Sequence, residues 1–295
     1  MTAKPTPADN TRGILLMIAA MALFTIEDAL IKWLAAEIPA GQIMIVIGLG
    51  GFGVLGARAV AQGIRLFDPA LFSPLVLARL FAEMVGTAFF VSSLVMAPLS
   101  VVSAIIQVSP LIVTLGAALF LGETVGPRRW AAVGIGMVGM LLILRPGGEA
   151  FTLGAFFAFL GTLGLSSRDI ITRRLPKTLN TGALSAWAFV AVLPAGVILL
   201  LFDPRPQVPD AGQWGILAAC VIIGIFAYLA ITTAMRVGEA SAVAPFRYSR
   251  LIFALFIGAL VFEEQPEALT LLGALIVVSS GIYTLWREAQ LRRRA

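Results

Sequence analysis

Residues 98–144 read PLSVVSAIIQVSPLIVTLGAALFLGETVGPRRWAAVGIGMVGMLLIL, and this stretch contains two long apolar runs joined by a short polar segment. The runs cover residues 98–121 and 127–145. Each is close to the length of about 20 residues that a helix needs to cross the hydrocarbon core of a membrane. Arg128 and Arg129 lie at the start of the second run, and such basic residues are typical of the cytoplasmic end of a span. The stretch therefore predicts two consecutive membrane-spanning helices.

The same alternation of apolar runs and short polar breaks continues along the whole chain of 295 residues. Charged residues make up only 13% of the chain, whereas a soluble domain contains about 25%. This composition is typical of an all-α integral membrane protein, for which lipid is the solvent. Breaks at Gly, Pro and charged residues predict about ten transmembrane helices. The predicted helices are 12–34, 40–58, 74–95, 98–121, 127–145, 151–173, 182–203, 211–234, 241–262 and 267–286.

The lysines and arginines predict the side of the membrane that each loop faces. With a cytoplasmic N-terminus, sixteen of the 21 basic residues fall on the cytoplasmic side and two, Arg145 and Arg205, on the outer side. Cytoplasmic loops carry an excess of Lys and Arg, so this asymmetry predicts that both termini are cytoplasmic. The same asymmetry explains the net charge of +5, and we expect no nucleic-acid partner.

Two segments, one in each half of the chain, resemble each other. Residues 26–44 read IEDALIKWLAAEIPAGQIM, and residues 167–185 read SRDIITRRLPKTLNTGALS. In both, an aspartate is followed by a cation four residues later and a glycine nine residues after that, at an offset of 141 residues. SPLI at 109–112 aligns with SRLI at 249–252 at an offset of 140. Because five spans is an odd number, this duplication predicts two inverted five-helix repeats with a solute site at the midplane between them.

DALIKWLA at residues 28–35 and the stretch 98–144 resemble the EamA family of the drug/metabolite transporter superfamily. The resemblance divides the chain into a cytoplasmic N-terminal tail, two EamA-like five-helix repeats and a basic cytoplasmic C-terminal tail. The bounds of these four parts are 1–11, 12–145, 151–286 and 287–295. We expect residues 1–11 and the segment Arg292–Arg294 to be disordered, because they are polar.

The segment MALFTIEDALIKWLA at 21–35, followed by PAGQI at 39–43, resembles the bacterial branch of this family that imports riboflavin. The chain departs from the family at Arg250, where proline is common, and at Gly48, where arginine is usual. The resemblance implies a secondary transporter, not an enzyme, that takes up riboflavin or a similar vitamin-like or nucleoside-like solute through the bacterial inner membrane. Export of amino acids or drugs is the alternative, and a channel or an intramembrane enzyme is more remote.

Three charged residues lie close together in the first predicted span, where a charge needs a partner or water. Asp28 and Lys32 are four residues apart on one helix face, within reach of an ion pair, and Glu27 precedes them. The pair is either a structural one near the outer interface or a functional one. In the functional interpretation, it lines the transport cavity and acts as an outer gate or supplies a proton-titrating carboxylate. Glu27 is a candidate for gating or proton coupling. Asp169 and Arg173 repeat the spacing and are candidates for an equivalent inner gate.

Arg247 and Arg250 lie in the first half of the ninth predicted span, with Tyr248 between them. Their side chains either reach back to the cytoplasmic interface or form a cationic cavity wall suited to a carboxylate, a phosphate or the carbonyls of a polar ring. Gln107 occupies the position that the repeat aligns with Arg247. Glu83, in the third span, is a candidate counter-charge for either arginine and a further candidate for gating or coupling.

Two aromatic residues complete the predicted cavity. Tyr228 places a hydroxyl within the eighth span, and Trp187 offers a stacking face for a planar solute, although most aromatic side chains in membrane helices only pack against lipid or neighbouring helices. Prolines within the apolar stretches predict breaks or kinks that free backbone groups at the cavity. These prolines are Pro98, Pro110, Pro194 and Pro245.

The residue inventory argues against several classes of site. Histidine is absent and Cys220 is the single cysteine, which excludes a Ser-His-Asp triad, histidine metal ligands and a disulfide within the chain. Gly48, Gly50 and Gly53 spell G-x-G-x-x-G, but inside a predicted membrane helix this pattern indicates close helix packing and not a nucleotide site. We therefore expect no cofactor and no metal. The expected partners are a small-molecule solute and the lipid bilayer, and the oligomeric state is left open.

Overall fold

The computed structural model describes residues 6–122, 126–145, 152–176, 178–238 and 240–294, and its regular elements within these ranges are all helical. The α-helices are α1 (Pro7–Leu34), α2 (Ala40–Ala61), α3 (Pro74–Met96), α4 (Leu99–Ile106), α5 (Ser109–Phe120), α6 (Pro127–Leu144), α7 (Leu153–Arg174), α8 (Thr181–Phe202), α9 (Ala211–Val237), α10 (Ala240–Val243), α11 (Ser249–Val261) and α12 (Ala268–Arg294). Short 3-10 helices cover Pro69–Phe72 and Ala244–Tyr248.

Most of these helices are suited to crossing a membrane. Among the described residues, eight helical segments are long and apolar enough to do so, and the apolar Trp130–Leu144 is shorter. The remaining predicted span is α7, which is long enough but has four charged residues in its second half. The predicted all-helical membrane fold of about ten spans is confirmed, and the predicted bounds agree with the helices to within a few residues except at the two chain ends.

The fourth and ninth predicted spans are discontinuous. α4 ends at Ile106, and α5 begins at Ser109 after a turn. In the ninth span, the short α10 passes into a 3-10 helix and α11 begins at Ser249, which is 140 residues after Ser109. Pro110 and Pro245 lie at these breaks, as their positions predicted. Both copies of the repeat therefore break the same span at the same aligned position.

The other two prolines have different roles. Pro98 directly precedes α4, where its fixed φ is compatible with a helix start. Pro194 lies inside α8, which continues beyond it. Proline is tolerated inside membrane helices because neighbouring groups can satisfy the freed carbonyl.

The predicted disorder of the two chain ends is wrong where the structure describes them. α1 begins at Pro7, within the predicted tail, and Thr6 caps it together with Asp9. The Asp9 carboxylate accepts hydrogen bonds from the amide and hydroxyl groups of Thr6 at 2.8 and 2.7 Å, and the Asp9 amide donates to the Thr6 hydroxyl. At the other end α12 continues to Arg294. Residues 1–5, 146–151 and 295 lie outside the described residues.

The chain divides into two compact units, and each takes helices from both halves of the sequence. Unit 1 contains α1 as far as Ala29, α4 to α6, α9 from Phe226, and α10 to α12. Unit 2 contains α1 from Leu30, α2, α3, α7, α8, and α9 as far as Ile225. The repeat bounds drawn from the sequence stay a prediction.

Glycines allow close helix packing inside each unit. In unit 2, a Cβ at Gly86 of α3 would lie 2.7 Å from the Leu165 amide nitrogen of α7. In unit 1, a Cβ at Gly139 of α6 would lie 2.8 Å from the Gly273 carbonyl oxygen of α12. Such approaches let the backbones of membrane helices pack in direct contact.

Replacing Gly41 with alanine should destabilise unit 2. The new methyl group would press on the Gly196 carbonyl oxygen and lie 2.5 Å from the Leu200 amide nitrogen of α8, and these backbone atoms cannot rotate away. Overpacking of this kind costs about 1–3 kcal/mol. Gly53→Ala is the matched control on the same helix, since its Cβ would meet nothing within 4 Å. Thermal melting of both variants in detergent checks the prediction, and equal melting temperatures would show that the α2–α8 contact is not tight.

Candidate functional site

A buried ion pair joins α1 to α11 inside unit 1. Arg250 donates from Nη2 to Oδ2 of Asp28 at 2.5 Å, and the side chains are only 14% and 6% exposed. The Arg250 guanidinium carbon also lies 5.6 Å from the centre of the Phe24 ring. A charged side chain at the centre of a membrane span costs about 2.5–3.5 kcal/mol on insertion scales, so intramembrane pairs mark solute or ion pathways by default. This pair is therefore the centre of the candidate site.

The breaks in the fourth and ninth spans bring further polar groups to this unit. Gln107, at the end of α4, donates its side-chain amide to the Arg247 carbonyl oxygen at 3.4 Å. Tyr248 is buried, and within the described part of the chain its hydroxyl has no hydrogen-bond partner. The hydroxyl lies against Gly281 of α12, where a Cβ would occupy its place. Arg250 is the second residue of α11, so the 3-10 helix before it sets its position.

Lys32 has different partners from the one that its spacing predicted. Its ammonium group donates to the carbonyl oxygens of Leu94 at 3.0 Å and Ala97 at 2.5 Å. These carbonyls lie at the C-terminal end of α3, where helix carbonyls lack intrahelical partners and favour a cation. The expected Asp28–Lys32 pair is thus replaced by one contact to Arg250 and one to a helix end, because tertiary neighbours lie closer than the same-helix residue.

Glu264 is a structural residue that sequence reasoning missed. Its carboxylate accepts hydrogen bonds from the amides of Leu99 and Ser100 at 2.6 and 3.0 Å, and from the Ser100 hydroxyl at 2.7 Å. These are the unsatisfied donors at the start of α4, which favour a negative charge. Glu264 lies in the loop after α11 and also donates its own amide to the Gly258 carbonyl oxygen. It therefore connects the two discontinuous spans of unit 1, and no motif in its loop signals this role.

Unit 2 contains a separate charged network between α3 and α7. Glu83 is buried and accepts from Arg168 at 2.7 Å, and Arg79 lies 3.5 Å from it. Arg168 also donates to Asp169 at 2.8 Å. Arg79 donates to the Thr172 hydroxyl at 3.1 Å. The expectation that Glu83 is the counter-charge of Arg247 or Arg250 is therefore wrong, since its partners come from its own unit.

Asp169 likewise has a partner other than the predicted one. The spacing predicted Arg173, but the neighbouring Arg168 makes the ion pair. Arg173 is exposed in the last turn of α7. Sequence reasoning counted Arg168 and Arg79 only as cytoplasmic charges, although both lie inside helices and reach a buried carboxylate.

Trp187 contacts the loop between α2 and α3, and its role as a stacking face stays a prediction. Its indole N–H donates to the Leu66 carbonyl oxygen at 2.7 Å, and its ring makes edge-on contacts with Phe67 and Phe72. It therefore fixes the loop between α2 and α3. Tyr228 is half-buried in α9, and its role in a cavity stays a prediction.

Comparison with known proteins agrees with this architecture. The model of the EamA-like transporter family matches residues 11–145 and 152–286. The chain is 25% identical to the riboflavin transporter of Rhizobium johnstonii over 98% of this chain and 95% of that protein. It is 29% identical to the riboflavin transporter of Vibrio cholerae over 74% and 73% of the two chains. The pseudopaline exporter CntI of Pseudomonas aeruginosa is 25% identical over 90% and 93%.

A solved structure titled "Crystal structure of protein" shares the fold at a TM-score of 0.61 and 20% identity, covering 95% of this chain and 99% of that one. The two family matches confirm the two-repeat membrane architecture and together cover nearly the whole chain. The family and these relatives are transporters and not enzymes, and their partners are a small solute and membrane lipid. The chain thus belongs to the EamA-like transporter family, as a multi-pass membrane protein.

Proposed function

We propose that this protein is a secondary transporter that takes up riboflavin, or a similar vitamin-like or nucleoside-like solute, across the bacterial inner membrane. The observation that carries the proposal is the buried Asp28–Arg250 pair between α1 and α11. A guanidinium group presents several donors in one plane, which suits the carbonyl groups of a planar polar ring. The names of two relatives support riboflavin as the first solute to test.

Export is the alternative direction, and one relative favours it. The pseudopaline exporter aligns with about as much of this chain as the first riboflavin transporter does. Arg250 would also suit the carboxylate of an amino acid or of a drug. An exporter of amino acids or drugs would use the same Asp28–Arg250 pair but would bind its solute from the cytoplasmic side.

The proposed orientation places both termini in the cytoplasm. Its support is the asymmetry of the basic residues, with Arg145 and Arg205 as the two on the outer side. A reporter that is active only in the cytoplasm, fused to either terminus, should be active, and the same reporter inserted at Arg205 should be inactive. The reverse pattern excludes this orientation.

Uptake into liposomes containing the purified protein tests the solute. Labelled riboflavin should enter at a rate that saturates with concentration and rises when unlabelled riboflavin is present inside, because a carrier returns faster when loaded. Flux that grows linearly with concentration indicates a channel instead. Equal signals in protein-free liposomes rule out riboflavin as the solute, and labelled amino acids are then the next test.

A further inference from the structure

The two discontinuous spans of unit 1 are connected at both ends of α4, which packs against α11. At the start of α4, the Glu264 carboxylate from the loop after α11 accepts hydrogen bonds from the amides of Leu99 and Ser100. At the end of α4, Gln107 donates its side-chain amide to the carbonyl oxygen of Arg247, which precedes α11. Glu264 and Gln107 therefore hold opposite ends of one short helix against the same partner span.

The position of α4 depends on Glu264 because this helix does not cap its own first turn. α4 has only eight residues, and an isolated helix of this length is marginal. Its N-cap residue is Pro98, whose side chain makes no capping hydrogen bond. The unsatisfied amides of the first turn instead bind the carboxylate of a residue 165 and 164 positions away in the chain. The Ser100 hydroxyl adds a third hydrogen bond to Glu264, at 2.7 Å.

The chain around Glu264 directs this carboxylate towards α4. Glu263 has a φ of 54°, in the left-handed region that residues other than glycine rarely adopt, and it turns the chain at the end of α11. The Glu264 amide donates to the Gly258 carbonyl oxygen at 2.9 Å. A Cβ at Gly258 would lie 2.7 Å from Oε2 of Glu264, so the glycine leaves room for the carboxylate. α11 and its loop thus hold the carboxylate from one side while α4 binds it from the other.

We infer that Glu264 is a positioning residue for solute binding, which holds α4 where Gln107 can reach the solute site. The inference rests on the proposed transport function and on the predicted place of Gln107 in the cavity. The hydrogen bond from Gln107 to the Arg247 carbonyl oxygen is 3.4 Å long, so a small displacement of α4 would break it. Arg247 lies three residues before Arg250, and Gln107 therefore contacts the segment that carries the guanidinium group of the candidate site. Glu264 acts on the solute only through α4.

The experiment measures exchange of labelled riboflavin in liposomes containing the full-length protein, and it gives the half-saturation concentration and the maximal rate per folded protein separately. Glu264→Gln removes the charge and replaces one acceptor oxygen with a donor group, which cannot accept from the α4 amides. The matched control is Glu263→Gln, which changes the exposed neighbouring glutamate. Ser100→Ala is a milder variant that removes only the hydroxyl hydrogen bond. Labelled amino acids or S-adenosylmethionine replace riboflavin if the original protein exchanges one of these instead.

We expect Glu264→Gln to raise the half-saturation concentration about tenfold, equivalent to about 1.4 kcal/mol, at a maximal rate close to that of the original protein. Ser100→Ala should raise it less, and Glu263→Gln should leave it unchanged. A residue that only stabilises the fold would lower the melting temperature without changing the half-saturation concentration of the folded protein. An unchanged value in Glu264→Gln overturns the inference. If Glu264→Gln does not fold, an unchanged value in Ser100→Ala overturns it.

A double variant tests whether Glu264 acts through Gln107. Gln107→Leu alone should raise the half-saturation concentration, and adding Glu264→Gln should raise it little further, because the amide that Glu264 positions is then already absent. Effects that multiply overturn the inference, and so does an unchanged half-saturation concentration in Gln107→Leu. The proposed function fails in a different way: the original protein then exchanges none of the three kinds of solute, and the inference fails with it.

Discussion

Replacing Arg250 with alanine should reduce solute flux to the background of protein-free liposomes and lower the thermal stability of the protein. Asp28 is almost completely buried, and Arg250 forms an ion pair and a hydrogen bond with it. Removing one member of a buried pair leaves an uncompensated charge and costs about 3–5 kcal/mol. Flux should be lost even in protein that remains folded, because the guanidinium group is also the proposed hydrogen-bond donor to the solute. Uptake normalised to the amount of folded protein measures the two effects separately.

A double variant distinguishes a structural pair from a transport site. Asp28→Asn combined with Arg250→Met removes both charges, so no isolated charge stays buried and most of the lost stability should return. Flux should stay at background, because neither charged group is present. The control is Arg205→Ala, which removes an exposed arginine paired with Asp203 in a loop. Recovery of flux in the double variant would assign the pair a purely structural role.

Replacing Glu83 with glutamine should have the second large effect, on the stability of unit 2. Glu83 accepts from Arg168 and lies close to Arg79, and its side chain is 9% exposed. Loss of its charge leaves Arg168 with Asp169 as its one carboxylate partner among the described residues. We expect a loss of about 3–5 kcal/mol in the free energy of unfolding, as for other buried pairs.

The matched control is Glu267→Gln in unit 1. Glu267 also accepts from an arginine, Arg145, at 2.6 Å, but its side chain is 67% exposed. Exposed pairs contribute about 0–1 kcal/mol, so this variant should melt close to the original protein. Melting curves in detergent compare the two. A normal melting temperature for Glu83→Gln together with altered flux would instead support the predicted role of Glu83 as a gate.

The helices and their breaks could be predicted from the sequence because both depend on local properties. Apolar length identified the spans, since a membrane helix must be continuous over the hydrocarbon core. Pro110 and Pro245 identified the discontinuities, since proline lacks the amide hydrogen that a helix needs. The repeat added the observation that Ser109 and Ser249 start equivalent helices.

The partners of the charged residues could not be predicted in the same way. Helical periodicity compares residues on one helix, so it paired Asp28 with Lys32, whereas the partner in the structure is 222 residues away. Lys32 reaches carbonyls 62 and 65 residues away, and backbone carbonyls carry no sequence signal. Glu264 was missed for the same reason, because its partners are the amides of another helix. Which residues meet is decided by the packing of distant helices.

Trans-stimulated exchange in liposomes tests the central claim most directly. The purified protein would be tested with labelled riboflavin, amino acids and S-adenosylmethionine, alongside the Asp28→Asn variant at equal folded amount. The proposed mechanism predicts saturable exchange of at least one solute by the original protein and background exchange by Asp28→Asn. Equal exchange by both proteins would show that the solute site lies elsewhere, and no exchange of any solute would contradict the proposed transport of these solutes.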